Sequence, residues 1–470
     1  MQLVKSTILD RFKMLFSDYK TLLVIFLIIS MTRPQTGWGQ DNSPYSRYGI
    51  GDIVPSTNIS NRGMGGIAAG YSDPLSINFN NPATYALFQT RKEENSKKLS
   101  WGRVILDLGV NLESRSLMEK DITGKFVAKN ALFSYLQVGL PVRQNLGLSF
   151  GLRPVTRISY KINKVGMVYD PNTQLPIDSA LTEFTGDGGA YLATMGAGYK
   201  LFKNLSIGFN GGYLFGEKDY STKRTLLSDS VSYQRSNNET KTSYGNIFFN
   251  AGLQYYAQLG KKIRLTLGVY GNWQQRLNAT RDFVAETFVR DPVQGDIRVD
   301  SVYEQKGVIG KIIYPASYGI GFVMEKPSEG KSRGWQFGMD LVQTQWNNYR
   351  YYGEIDSVQN KWELRMGGQL WPSLSSASKS YWSFVSYRVG LFMGADYIRV
   401  QNKLPQYGIS FGLGLPLSYT RQNPNQATMI NVAAEYIKRG NNSNLLKENL
   451  FRLSVGFALS DLWFIKRKYD

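Results

Sequence analysis

Leu205-Ser206-Ile207-Gly208-Phe209-Asn210-Gly211-Gly212-Tyr213-Leu214-Phe215 is the stretch that decides the fold. Leu205, Ile207, Phe209, Tyr213 and Phe215 share one face, while Ser206, Gly208, Asn210 and Gly212 take the other, which is the period of a strand. The same alternation sets Leu146, Leu148, Phe150 and Leu152 against Gly147, Ser149, Gly151 and Arg153. Ile409, Phe411, Leu413, Leu415 and Leu417 oppose Gly408, Ser410, Gly412 and Gly414, and Leu453, Val455, Phe457 and Leu459 oppose Arg452, Ser454, Gly456 and Ala458. A soluble β-sandwich has this period too. The second face separates the two cases. A sandwich dresses it with Lys, Glu and Thr for bulk water, whereas here it carries Gly, Ser, Asn and isolated charges such as Arg264, Arg388 and Asp396. Small polar residues suit a narrow lumen and bulky aliphatics suit lipid. The expectation is an all-β chain, a transmembrane antiparallel β-barrel whose lumen face holds Arg153, Arg264, Arg388 and Asp396.

Working outward, fourteen segments read as strands: 101–113, 131–141, 145–160, 188–200, 204–217, 244–258, 261–275, 308–325, 334–347, 360–372, 384–398, 405–418, 427–439 and 449–459. The connections between them alternate long and short through the eighth, as external loops and periplasmic turns do in bacterial barrels. Trp101, Trp273, Trp335, Trp346, Trp362, Trp371, Trp382 and Trp463 fall near proposed strand ends, where an indole is expected in the headgroup zone.

Composition closes most other classes. The 470 residues include 47 Gly, 30 Tyr, 24 Phe and 9 Trp, and neither Cys nor His. Without Cys there are no disulfides or thiolate metal sites, and without His every mechanism with a His base is shut. No enzyme activity, cofactor or metal is expected. Lys5, Arg11, Lys13 and Lys20 precede an apolar run from Leu22 to Ile29, which is far short of a spanning helix, and Thr36-Gly37-Trp38-Gly39-Gln40 follows. That pattern predicts a signal peptide over 1–39, cut after Gly39.

Residues 40–98 do not alternate. They contain Ser43-Pro44-Tyr45-Ser46-Arg47-Tyr48-Gly49, Gly63-Met64-Gly65-Gly66-Ile67-Ala68-Ala69-Gly70, and Asp73-Pro74-Leu75-Ser76-Ile77-Asn78-Phe79-Asn80-Asn81-Pro82-Ala83-Thr84-Tyr85. The glycines lack the Lys-Ser/Thr pair and βαβ context of a phosphate loop, and they suit tight turns in a crowded space better. This segment resembles the N-terminal hatch of the long-chain fatty acid transporter (FadL-like) family of outer-membrane barrels. Gly63, Gly65 and Gly66 match its glycine-rich stretch, Ser72–Ser76 its Asp/Ser segment, and Asn81, Pro82 and Ala83 its Asn-Pro-Ala motif. The opening Ser-Pro-Tyr-Ser-Arg-Tyr-Gly and the ending Trp463-Phe464-Ile465-Lys466-Arg467-Lys468 look like the Bacteroidota branch.

The resemblance implies a barrel of fourteen strands over 99–470, with a short basic C-terminal tail and the hatch inside the lumen. It also implies uptake of hydrophobic compounds such as long-chain fatty acids at the cell outer membrane. Arg153, Arg264, Arg388 and Arg452 on the proposed lumen face could hold a carboxylate head group. The alternative is that they pair with hatch carboxylates such as Asp52 or Asp73. The other functional class is a non-transporting barrel subunit of a secretion or outer-membrane assembly complex. The expected partners are a hydrophobic small molecule, outer-membrane lipid, and in the second class a periplasmic or outer-membrane protein. Without residues 1–39 the net charge of +19 falls to about +16, and basic runs such as Lys466-Arg467-Lys468 are either simply solvated or drawn to anionic lipid headgroups or an acidic periplasmic partner at the inner leaflet, with no nucleic acid expected.

Overall fold

The computed structural model describes residues 43–463, except 93–98, 121–123, 171, 228–233, 292, 330–331, 373–380, 401 and 418–425. The proposed signal peptide, the basic tail at Lys466-Arg467-Lys468, and Lys97, Lys98 and Lys331 lie outside the described residues.

Fourteen antiparallel strand positions close into a ring. They are β1 Leu99–Glu119, β2 Phe126–Arg143, β3 Leu146–Tyr169, β4 Pro176–Phe202, β5 Leu205–Leu226 and β6 Arg235–Leu259, then β7 (Ile263–Asn272 with Gln275–Asp291) and β8 (Gly295–Tyr314 with Ser317–Lys326). β9 Trp335–Thr344, β10 Lys361–Leu370, β11 Ser386–Val400, β12 Asn402–Leu417, β13 Ala427–Arg439 and β14 Leu446–Trp463 complete it. The ring shuts where Leu446–Trp463 of β14 pairs with Glu119–Gly102 of β1. All fourteen segments read from the alternation lie on these strands.

Two strands are each broken once. β6 pairs with the lower part of β7 through Ala251–Leu259 and with its upper part through Arg235–Gly245, so both parts occupy one position. Pro315 interrupts β8 at the same level because it has no N–H to give the ladder. Side chains fill in: Asn272 Nδ2 donates to Pro315 O at 3.0 Å, and Gln275 replaces a backbone partner for Phe249, accepting from its N–H at 2.9 Å.

The long connections expected at 161–187, 218–243 and 276–307 are not loops. Among the described residues they are paired ladders, so β3 to β8 extend beyond the alternating segments as tall hairpins. Above the membrane both faces of a strand meet water, so pairing continues after apolar alternation has stopped. Lower down, the alternation separates the faces as proposed. Met195, Phe209, Phe337, Leu391 and Phe411 point outward and are exposed, while Asn210, Asp340, Arg388 and Ser410 are buried inside. Trp346 departs from the expected headgroup position. It is 2% exposed, packed inside the barrel with its ring 4.4 Å from that of Tyr397.

Candidate functional site

The stretch from Ser43 to Phe88 has little regular pairing of its own, so side chains and the wall must satisfy its backbone. Asparagines do much of this. Asn58 caps the short helix Ile59–Arg62 by accepting from Asn61 N at 2.9 Å and donates to Ile77 O at 2.9 Å. Asn78 Nδ2 donates to Ala68 O at 2.7 Å and Tyr71 O at 2.9 Å. Asn81 accepts from Ala83 N at 3.2 Å, capping the turn Pro82–Leu87 with Pro82 at its start, and donates to Ala69 O at 2.7 Å.

Contacts with the wall run around the whole ring. Ile77 N donates to Asp107 of β1, and Lys218 of β5 donates to Gly49 O. Gln254 of β6 donates to Ala69 O, Asp340 of β9 accepts from Ala68 N and Ala69 N, and Ser410 of β12 accepts from Gly65 N. A segment bonded to strands on every side lies in the lumen. Its seat is made by inward-facing glycines. A Cβ at Gly208 would lie 2.2 Å from the Pro82 carbonyl carbon, and one at Gly252 would lie 2.0 Å from Asn81 Oδ1. In the segment itself, Gly65 has φ +68° and no room for a Cβ, which would meet Met366 O at 2.6 Å.

A buried ionic network ties the upper part to the wall. Asp52 pairs with Arg115 at 2.7 Å and with Arg439 at 2.9 Å. Glu448 joins the same two arginines at 2.8 and 3.1 Å, and Arg439 also meets Asp396. Burial works to raise the Asp52 pKa, but Arg115 and Arg439 outweigh it and hold the carboxyl well below the usual carboxylate range.

The four arginines singled out from the sequence all sit on the lumen side but do not converge on one site. Arg388 meets Asp73 of the hatch at 3.9 Å and bonds Gln369 and Asn431. Arg264 pairs with Glu325 at 3.0 Å, and Arg452 with Glu113 at 2.6 Å and Glu435 at 3.2 Å, all carboxylates of the wall rather than the hatch. Arg153 stands over the ring of Phe79 at 5.3 Å. Asp52 is served by Arg115 and Arg439, which the sequence reading missed. Both lie at or beyond the ends of the alternating segments. The Glu113-x-Arg115 spacing on one face of β1 was the available signal.

The wall itself is incomplete between β2 and β3. Their ladder stops at Leu136–Leu152. Above that level, among the described residues, no strand of the ring joins Phe126–Tyr135 to β3. Instead Asp52 and Ile53 of the hatch pair with Arg157 and Thr156, and Val54 N donates to Val155 O at 3.0 Å. Pro154, the register shift after it, and the positive φ of Gly188 and Gly189 opposite mark the same level. A cavity of about 710 Å³ opens there. It reaches from Asp52, Arg115 and Arg452 inside to the outward-facing Phe133, Tyr191 and Phe215.

Comparison with known proteins agrees with this architecture. A family model described as BamG matches residues 19–470. No curated protein matches the chain. Among solved structures, a Pseudomonas aeruginosa FadL homologue is 13% identical, covering 89% of this chain and 100% of its own, with a TM-score of 0.52. The CymD monoaromatic hydrocarbon channel is 14% identical over 87% of this chain and 98% of its own, with a TM-score of 0.49. The Pseudomonas putida toluene transporter TodX is 12% identical over 88% and 99%, also at 0.49. At such identities the likeness to the FadL homologue establishes a shared fold.

Proposed function

The chain belongs to the BamG family, and we propose that it takes up hydrophobic compounds, such as long-chain fatty acids, across the cell outer membrane. The observation that carries this reading is the opening between β2 and β3. The axial route is filled by the hatch, whereas the lateral cavity joins a polar interior to an apolar outer wall. A lipophile entering from outside has a way sideways into the bilayer without crossing the periplasmic end. The solved barrels of this fold include, by their titles, a hydrocarbon channel and a toluene transporter, which supports the same direction. The proposal assigns no catalysis, cofactor or metal. Its small-molecule partner is apolar and its second partner is outer-membrane lipid.

A second reading, a non-transporting barrel subunit of an outer-membrane secretion or assembly complex, is favoured by one observation. Gly295–Gly307 of β8 pairs only with β7 among the described residues, leaving an edge in which Val302 is 71% exposed. Free strand edges of this length pair readily with a partner chain.

Measuring radiolabelled oleate uptake in cells with and without the gene decides between the two. The transport reading expects uptake to fall towards background on deletion and to return with a plasmid copy. Unchanged uptake, together with dispersal of a large outer-membrane complex that contains this chain, would overturn it in favour of the second.

A further inference from the structure

Among the described residues, wall arginines such as Arg115, Arg264, Arg365, Arg388, Arg439 and Arg452 each face a carboxylate. Arg153 of β3 does not. Among the described residues it makes no ion pair and no hydrogen bond, and its guanidinium carbon rests 5.3 Å from the centre of the Phe79 ring. It lines a cavity of about 150 Å³ between hatch and wall, where Phe79, Phe248, Tyr270, Tyr314 and Trp346 share the lining with polar side chains and with Glu363, which is already paired with Lys361 and Arg365. A buried cation without a counter-charge beside such a space is costly unless an acceptor joins it. The aromatic walls select what carries that acceptor. The space lies below the roughly 300–1,000 Å³ of pockets for larger ligands, so it admits one ring with a head group and no long acyl chain.

We infer that this cavity binds a small aromatic carboxylate, with Arg153 holding the carboxylate and the aromatic walls enclosing the ring. The site adds a charged ligand class to the uptake reading and rests on that reading only for how the ligand arrives. A neutral hydrocarbon leaves Arg153 unanswered, and a bare inorganic anion leaves the aromatic walls unused.

The test is equilibrium dialysis of radiolabelled benzoate against the purified full-length chain in detergent. Saturable binding is expected, displaced poorly by toluene or by equal acetate or phosphate. A hydrogen bond to a charged group contributes roughly 1.5–3 kcal/mol, so Arg153→Met should weaken binding by about tenfold or more. Arg153→Lys, which keeps the charge, should weaken it less. Heat-modifiable gel migration, which reports a folded barrel, should be unchanged in both variants. Absence of saturable benzoate binding, equal binding by the folded Met variant, or equal competition by acetate or phosphate overturns the inference. Dialysis needs no transport, so intact binding in a chain that fails the oleate assay sinks the uptake reading alone.

Discussion

Gly208 shows how a single hydrogen atom can position a whole segment. Its side of β5 faces the lumen, and the Pro82 backbone occupies the place where any other residue would put a Cβ. Gly208→Val should therefore unseat the Pro82 turn. Overpacking of this kind costs about 1–3 kcal/mol, and here it falls on the hatch rather than the ladder. The expected result is a barrel of normal heat-modifiability with raised conductance to small ions in planar bilayers. Unaltered conductance would mean the turn is not held by this seat. Asp52 holds the other end of the segment. Removing its charge with Asp52→Asn leaves Arg115 and Arg439 short of a buried counter-charge, a loss of roughly 3–5 kcal/mol for a fully enclosed pair and less for this partly wetted one. Acid should act more weakly than the substitution. The Asp52 pKa is held below its unfolded value of about 3.9, so its contribution is complete above that value and fades only as pH falls below it. The difference in thermal stability between the parent and Asp52→Asn should accordingly stay constant from pH 7 to pH 5, and a difference that shrinks within that window would contradict the assigned pairing.

Among the elements, the legible part of the sequence is the part that spans lipid. Leu205–Phe215 alternates because one face meets hydrocarbon and the other meets the hatch, and each of the fourteen positions carries such a stretch. Lys218–Arg224 and Ser236–Thr242 pair just as regularly, yet nothing in their composition marks them as strand, because polar side chains occupy both faces, the buried Lys218 and Thr242 among them. The break in β7 and β8 was invisible for a different reason. Pro315 falls inside an otherwise alternating run, and only the side chains of Asn272 and Gln275 show how the ladder survives it. The site was legible in part. Inward arginines follow from the phase of the alternation, but their partners, Glu325 for Arg264 and Glu113 and Glu435 for Arg452, come from neighbouring strands whose register the sequence does not display. That phase is itself testable on adjacent positions of β12. Phe411→Arg puts a charge on the outward face and should cost roughly 2–4 kcal/mol at mid-bilayer, impairing assembly. Ser410→Ala, facing inward, removes one hydrogen bond from Gly65 N–H and should cost about 1 kcal/mol, leaving assembly normal. Equal yields of folded barrel from the two variants would invert the assigned faces.

For the whole molecule, the question is whether the opening between β2 and β3 is a passage or a fixed feature. Two hatch residues pair with its β3 edge, Asp52 opposite Arg157 and Ile53 opposite Thr156. If ligands leave sideways, this small strand has to let go of the β3 edge, or at least shift along it, because Asp52, Ile53 and Val54 line the cavity. The chain has no cysteine, so a disulfide can be introduced with no competing thiol. Directly opposed residues of an antiparallel pair have Cα atoms about 4.5–5.5 Å apart, within the roughly 4.4–6.8 Å that a disulfide spans. Ile53→Cys with Thr156→Cys should therefore form a bond on oxidation and tie the hatch to the wall. The transport reading expects oleate uptake to fall to near background in the oxidised double variant and to recover with reductant. Each single-cysteine variant should behave like the parent throughout, which separates the effect of the tie from that of the substitutions. A barrel that serves only as a subunit has no need to release this strand, so the oxidised chain should then match the reduced one in every property, including retention in its complex. Uptake that proceeds equally with the bond closed and open would show that nothing passes this way.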